Sequence, residues 1–429
     1  MTATRKHCRK AEDIAAKATE AQARVTAGGV LYLAFELGWN EWKLAFSTGP
    51  AASVRLRTIR GRNVQALMQE IAKAKERFGL DEQAPVHSCY EAGRDGFWLH
   101  RFLQSRGISN QVVDSSSIEV KRRGRRRKTD RLDVGKLLSM LIRWQQGERD
   151  VWNIVQVPSV ADEDRRQLHR DLLELKGERT LHVNRVKGLL AGQGLKAPPL
   201  NDEFPEALGQ LRTWDDQAVP SELQQRLGRE YERWRLVDRQ IKDLEGERAR
   251  RIRGSDDGSH ESSANKAATD KALTQVRQLI RLRGIGANSA WLYVMEFFSW
   301  RNIANRKQLA ALAGLAPTPY QSGDSDREQG ISKAGNRRLR TMAVEIAWCW
   351  LQFQPGSALS QWYEQRFAKG SSRQRRIGIV AVARKLLVAL WRFLETGEMP
   401  SGAEIVPWKP GLRTVSEETT AGNSTAWPD

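Results

Sequence analysis

The sequence predicts an α/β amino-terminal domain over residues 30–150, a pair of long charged helices forming a coiled-coil middle over 160–253, and a mostly α-helical domain over 271–399. Three observations carry this reading. Up to Val113 the apolar residues run continuously or alternate in short blocks, as strands require, and beyond Val160 they recur every three or four residues, as helices require. Glycines at 38, 79 and 107 punctuate the short blocks where a chain must turn. The stretch 254–270, GSDDGSHESSANKAATD, is small and polar and reads as a flexible linker before the last domain.

The elements follow in order. Residues 30–35, VLYLAF, are apolar throughout, the pattern of a strand buried on both faces, and end in Glu36. After the Gly38 turn, Trp42, Leu44 and Phe46 alternate with Glu41, Lys43 and Ala45, then Val54 and Leu56 with Arg55 and Arg57, giving two half-buried strands of an antiparallel meander. An amphipathic helix from Asn63 to Phe78 presents Val64, Leu67, Met68, Ile71 and Ala74, with Asn63 as cap and Gly79 as stop. A strand over 85–90 ends in Glu91, a helix occupies 95–105, a fifth strand 108–113, and a helix from about 130 to 144 closes the unit. Three strands, helix, strand, helix, strand, helix is the element order of a ribonuclease-H-like fold.

In the middle region Leu168, Leu172, Leu175, Val183, Val186 and Leu190 form one stripe, and Leu227, Tyr231, Trp234, Val237, Ile241 and Leu244 a second. Prolines 198, 199 and 205 separate them, so an antiparallel coiled-coil hairpin or a plain helical bundle is expected. Residues 1–29 read as a helical or mobile arm and 400–429 as a flexible tail.

At 429 residues the chain holds two or three domains. Lys and Arg number 70 against 51 Asp and Glu, a net charge of +19 that points to a polyanion partner, with nucleic acid favoured over an acidic membrane surface. Mean hydropathy is −0.58, and the longest apolar stretch, Gly378 to Leu394, is interrupted by Arg384 and Lys385, so no membrane span is expected. Cys8, Cys89 and Cys349 lack metal-ligand spacing and suggest a reducing compartment. The amino terminus lacks the apolar core of a signal peptide, so a cytoplasmic location is expected.

Four carboxylates sit at matching element ends: Glu36 and Glu91 after strands, Asp130 and Asp133 at the start of a helix. Converging hard oxygens of this kind hold Mg²⁺ at a phosphodiester. Any one alone is more often a solvated rim residue or a helix cap, so the argument rests on the four together. Immediately before the aspartates, the cations Lys121, Arg122, Arg123, Arg125, Arg126, Arg127 and Lys128 offer a phosphate-binding run, although such runs are often only solvated. Gly284 and Gly286 in LRGIG join two apolar helices and can present backbone amides to a DNA phosphate, as in a helix-hairpin-helix; packing is the plainer reason for such glycines. Between Leu309 and Arg340, Ser322 follows a Pro-rich turn and is followed by Arg327, Lys333, Arg337, Arg338 and Arg340, cations able to stabilise charge at a phosphate under hydroxyl attack. No histidine lies nearby for a hydrolase triad, and simple turn chemistry explains a Ser-Gly pair equally well.

Glu91, KTDRLDVGKL, AGLAPTPYQSG and ISKAGNRRLR together resemble the IS-one-ten family of bacterial insertion-sequence transposases over about residues 31–396. The resemblance implies a RuvC-like domain with an Asp-Glu-Asp-Asp tetrad, here Glu91, Asp130 and Asp133, with Glu36 standing where the family has Asp. It implies Ser322 as a nucleophile forming a phosphoserine link to DNA, with Ser332 in reserve, and Mg²⁺ at the tetrad. Its implied partners are double-stranded donor and target DNA, a structured bridge RNA that guides the choice of site, and further copies of the chain in dimers and tetramers. A site-specific invertase of the same fold, or a nucleic-acid-binding scaffold with a decayed centre, are the alternatives.

Overall fold

The computed structural model describes residues 29–118, 130–254, 263–322 and 325–407, with the backbone alone for 130–132, 263–265, 319–322 and 325–329. The expected arm at 1–28 and the basic run Lys121 to Lys128 lie outside the described residues. The chain divides between Val157 and Pro158 into two compact units.

The amino-terminal unit is a five-stranded mixed sheet. Its strands are β1 (Leu31–Leu37), β2 (Glu41–Ser47), β3 (Arg55–Arg60), β4 (Val86–Glu91) and β5 (Ser109–Val113), in spatial order β3-β2-β1-β4-β5. The first three form the antiparallel meander, while β1 with β4 and β4 with β5 run parallel. Helices α1 (Val64–Arg77) and α2 (Trp98–Ser105) cover one face, where Leu33, Phe35, Trp42, Leu44, Phe46 and Tyr90 pack against Leu67, Ile71, Leu99 and Leu103. Helix α3 (Asp130–Gln145) covers the other, seated on the small side chains Ala34, Ala45 and Cys89. The element order matches the sequence pattern throughout, because both faces are covered and each strand's alternation has one partner per face. Asn63 caps α1 by accepting from Ala66 N at 3.0 Å, and Gly79 leaves it at φ +63°.

The carboxy-terminal unit begins with the short α4 (Val160–Arg165). The two long helices follow, α5 (Gln167–Ala191) and α7 (Ser221–Arg253), with α6 (Phe204–Gln210) between them. Lys176 pairs with Glu245, Arg179 with Asp238 and His182 with Glu230, and this descending order shows that α5 and α7 are antiparallel. The coiled-coil region is not a separate domain. Leu168, Leu172, Leu175, Val237 and Ile241 join the same core as Trp291, Phe297, Leu339, Trp350 and Leu387, because the apolar stripes at the open end of the pair find their partners in the later helices.

Those later elements are α8 (Ser263–Ile280), α9 (Ala287–Tyr293) extended by a π-helical turn (Val294–Phe298), α10 (Arg306–Leu312), and strands β6 (Pro317–Ser322) and β7 (Ser325–Ile331). After them come α11 (Arg337–Phe353), α12 (Ala358–Tyr363) extended by a second π-helical turn (Glu364–Ala368), and α13 (Ser372–Thr396). Three expectations are corrected. Residues 263–270, placed in the linker, open α8, since SANKAATDKAL is compatible with a helix once Leu273 and Val276 are buried. The helical domain contains an antiparallel hairpin, β6 with β7, whose polar sequence carries little strand periodicity. Residues 400–407 are not a loose tail: Ala358 N donates to Ser401 O, Arg283 N to Glu404 O and Val406 N to Arg281 O.

One buried ionic cluster has no counterpart in the apolar pattern. Glu296, on the first π-helical turn, accepts from Arg170 Nε at 2.7 Å and Nη2 at 3.1 Å. Burial pushes its carboxyl up, but the Arg170 hydrogen bond and charge prevail and hold it below the usual carboxylate range. His169 beside it is fully buried, neither ring nitrogen has a hydrogen-bond partner among the described residues, and burial pushes its pKa down to about 4. Because the folded pKa lies below the ordinary 6.5, the unfolded chain takes up a proton that the folded chain refuses, so this contribution is complete above pH 6.5 and shrinks as the pH falls. We expect about 2 kcal/mol of stability to be lost between pH 6.5 and 5 through this group. Urea unfolding across that window should show the slope in wild type and a flatter profile in His169→Leu.

Candidate active site

Glu36 and Glu91 are brought together by strand pairing. The parallel register of β1 and β4 sets Phe35 opposite Tyr90, so the next residues, Glu36 and Glu91, emerge side by side at the carboxyl ends of adjacent strands. Side chains alternate along a strand. Phe35 and Tyr90 point to the α1/α2 face while Ala34 and Cys89 point to α3, and the two glutamates fall on the α3 face with the latter pair. Both line a cleft of about 330 Å³ that continues along the turn from Ala92 to Asp95.

Helix α3 runs antiparallel to β4 above this face. Gln145 Nε2 lies 3.2 Å from His87 Nδ1, and Cys89 Sγ donates to Leu137 O at 3.8 Å. One turn further toward the amino end of the helix lies Asp133. Four helical residues rise about 6 Å, and two strand residues advance about 6.6 Å, so Asp133 is carried toward the Glu91 end of β4. Asp130 is the first residue of α3, three positions earlier and on the same helix face. The positive end of the helix dipole at this point favours the gathered carboxylates. Among the described side chains, no three His, Cys, Asp or Glu residues are close enough together to hold a metal as they stand. The donor chemistry nevertheless fits a hard divalent cation: two glutamates abreast at adjacent strand ends, and Asp133 near the start of the helix over the same face, with the Asp130 backbone one turn before it.

Beside the cleft lies a group that periodicity could not reveal. The Asp95 carboxylate accepts from Arg62 Nη2 at 2.9 Å and pairs with Arg94 at 3.6 Å. Both guanidiniums rest on the Trp39 ring, 4.5 and 4.9 Å from its centre, and Arg62 also donates to Trp39 O. The result is a cationic and aromatic lip next to the glutamates. Its one signal in the sequence is an exposed tryptophan in the turn after a strand that ends in Glu.

In the carboxy-terminal unit, Ser322 ends β6 and pairs with Ser325 across the hairpin. Its side chain is not among those described. Ser332 lies at the opposite end of the hairpin, exposed, its N–H donating to Ala316 O. Seven strand residues separate the two serines, roughly 20 Å. Lys333, Arg337, Arg338 and Arg340 share the base with Ser332, so the hairpin does not bring them to its tip beside Ser322.

The base is stitched by backbone contacts. Lys333 N donates to Gly314 O, Asn336 N to Leu312 O, and Arg340 Nη1 lies 3.4 Å from Ala334 O. Gly314 has φ +68°, and a Cβ there would meet Ala334 O at 1.9 Å; Gly335 has φ +86°, and its Cβ would meet Leu312 O at 2.2 Å. Each segment therefore fills the space the other's glycine leaves open. In the LRGIG turn, Gly284 has φ +87° and faces Cys349 O and Phe353 Cβ at 3.2 Å, a packing role. The amides of Arg283 and Ile285 are already donated to Glu404 O and Leu282 O, so the turn presents fewer amides to a phosphate than its sequence suggests.

Gly314→Ala or Gly335→Ala is expected to cost at least about 2 kcal/mol through left-handed strain and backbone overlap. Limited proteolysis should then cut between residues 312 and 336, whereas Thr318→Ala, which removes only an exposed hydroxyl contact to Gly330 O, should behave like wild type.

Comparison with known proteins finds relatives along most of the chain. A model of the family described as Transposase IS116/IS110/IS902 family matches residues 276–364, the span that holds the glycine-stitched hairpin. The chain is 39% identical over 381 residues to y4rJ of Sinorhizobium fredii, named as a candidate transposase, covering 87% of this chain and 94% of that protein. A second Sinorhizobium fredii protein named in the same way, y4qE, is 28% identical over 316 residues, 72% of this chain and 68% of its own. The transposase for insertion sequence element IS1328 of Yersinia enterocolitica is 25% identical over 228 residues, 52% of this chain and 60% of its own. With relatedness running over nearly the whole length of both chains in the first case, this protein belongs to the IS116/IS110/IS902 family of transposases.

Proposed function

We propose that this chain is a DNA transposase that cuts and rejoins strands through Ser322, with Glu36, Glu91, Asp130 and Asp133 forming a RuvC-like acidic centre for Mg²⁺. The observation that supports it most is the pairing of Glu36 with Glu91 on the sheet face under the amino end of α3, within a chain of transposase ancestry. Bound Mg²⁺ would supply Lewis acidity to phosphate oxygens.

The residues of the chain divide the remaining work. The Ser322 hydroxyl gives up its proton as Oγ bonds to phosphorus, the bond from phosphorus to the departing sugar oxygen breaks, and that oxygen leaves as a hydroxyl. Attack of a second strand's hydroxyl on the phosphoserine reverses the exchange and restores Ser322. The Arg62 and Arg94 lip and the run from Lys121 to Lys128 are suited to bind the phosphates that flank the cut. Glu36 in place of Asp carries one more methylene and can still present a carboxylate to a divalent ion. A structured bridge RNA, which the motif resemblance implies, is the second partner in this reading, and a net charge of +19 suits so large a polyanion load.

The test incubates the protein with Mg²⁺, the non-coding RNA transcribed beside its gene, and donor plus target DNA, and looks for a protein–DNA adduct that resists denaturation. The adduct is expected in wild type and Ser332→Ala and absent in Ser322→Ala; an adduct lost only in Ser332→Ala would reassign the nucleophile. Glu91→Gln is expected to reduce adduct formation at least a hundredfold while duplex binding stays within twofold. Cutting by Ser322→Ala at the wild-type rate would leave a metal-dependent nuclease as the correct reading.

A further inference from the structure

A cavity of about 350 Å³ opens in the carboxy-terminal unit where three elements meet. Trp348 comes from α11, Tyr363 and Ala368 from α12 and its π-helical extension, and Ser372, Arg375 and Arg376 from the first turns of α13. None of these residues belongs to the acidic centre, the hairpin or the cations at its base. Three independent features of the cavity call for a ligand.

Trp348 is 45% exposed, although Ala347 and Trp350 beside it are buried in the core. An indole left half in water forgoes a large share of the hydrophobic gain that Trp350 collects two positions later. Arg375 and Arg376 lie within the first five residues of a 25-residue helix whose first turn contains no acid. The helix dipole disfavours cations there, and among the described residues neither guanidinium has an ion-pair or hydrogen-bond partner. Ala368, which also lines the cavity, ends the π-helical turn Glu364–Ala368. That turn drives Phe367 into the space over Gly378, where a Cβ would come within 2.5 Å of the ring, and such turns recur at functional sites. The reciprocal capping box of Ser371 and Gln374 fixes where α13 begins, so the arginines stand on a well-defined helix end.

An open aromatic face beside two unneutralised guanidiniums matches one ligand chemistry. A nucleobase stacks on the indole while its phosphate accepts hydrogen bonds from arginine. Paired bases keep their faces inside the duplex, so only an unpaired nucleotide offers a free face and a phosphate at once. We propose that this cavity is a subsite for an unpaired nucleotide, with the base on Trp348 and the phosphate on Arg375 and Arg376. The proposal rests on the chain's handling of nucleic acid, and it is independent of which serine reacts and of the acidic centre.

The test uses the full-length protein and ten-nucleotide single strands of oligo-dT or oligo-U carrying one central 2-aminopurine, whose fluorescence is quenched by stacking, with the corresponding DNA duplex as control. Wild type is expected to quench at least one of the two strands, and the strand quenched more strongly identifies the partner as opened DNA or RNA. Trp348→Ala should abolish the quench and weaken single-strand binding about tenfold, within the range for loss of one stacked base. Trp348→Phe, which keeps a ring, should restore most of both, and duplex binding should stay within twofold. Arg375→Gln with Arg376→Gln should lower the dependence of single-strand binding on salt by the share of about two phosphate contacts. An unchanged quench in Trp348→Ala, or an equal fall in duplex affinity, would overturn the subsite. Adduct formation through Ser322, measured in parallel, reports on the catalytic reading alone.

Discussion

Parallel pairing of β1 with β4 places Glu36 beside Glu91, and the acidic centre proposed for the amino-terminal unit depends on that pairing. Two glutamates 55 positions apart in the chain become neighbours because β4 returns alongside β1 after the α1 crossover. Their shared face follows from the two-residue period of a strand, since a slip of one residue would turn one of them into the core of Phe35 and Tyr90. The small residues Ala34, Ala45 and Cys89 then let α3 lie close on that face, with its aspartates at the end where the glutamates emerge. Bulkier side chains there would lift the helix, and Asp133 with it, away from Glu91.

The carboxy-terminal unit relies on backbone contact instead of side-chain pairing. Gly314 and Gly335 close the base of the hairpin by each occupying space in which the other segment tolerates no Cβ. The conspicuous residues of ISKAGNRRLR thereby separate into two kinds. Gly335 and Arg340 hold the backbone of the preceding segment, while Arg337 and Arg338 project outward from the start of α11. Hydrogen bonds from 400–407 to Arg281, Arg283 and Ala358 secure the far side of the same core.

Charge is used differently at different depths. The buried carboxylate of Glu296 is matched by Arg170, because an unpaired buried charge is costly. Exposed cations at Arg375 and Arg376 are unmatched among the described residues, at a helix end that disfavours them. On the proposed reading a nucleic-acid phosphate supplies the missing negative charge, and an excess of 19 positive charges suits such a partner.

Element order in the amino-terminal unit, the Asn63 cap, the Gly79 stop and the two helical stripes were legible from the sequence, because each depends on local periodicity or on a residue's own backbone preference. The approach of Glu36 to Glu91 was legible only as a matching of element ends; strand register decided that the two share a face, and the antiparallel seat of α3 decided toward which end of β4 Asp133 lies. Beyond the antiparallel pair of long helices, most contacts between segments far apart in the chain were not legible. The Trp39, Arg62, Arg94 and Asp95 lip, the union of the long helices with the later core, and the stitched base of the hairpin all arise this way. The Trp348 cavity was hidden for the same reason: its ring, its π-helical wall and its arginines belong to three elements that no sequence period connects, and only tertiary packing puts them in one place.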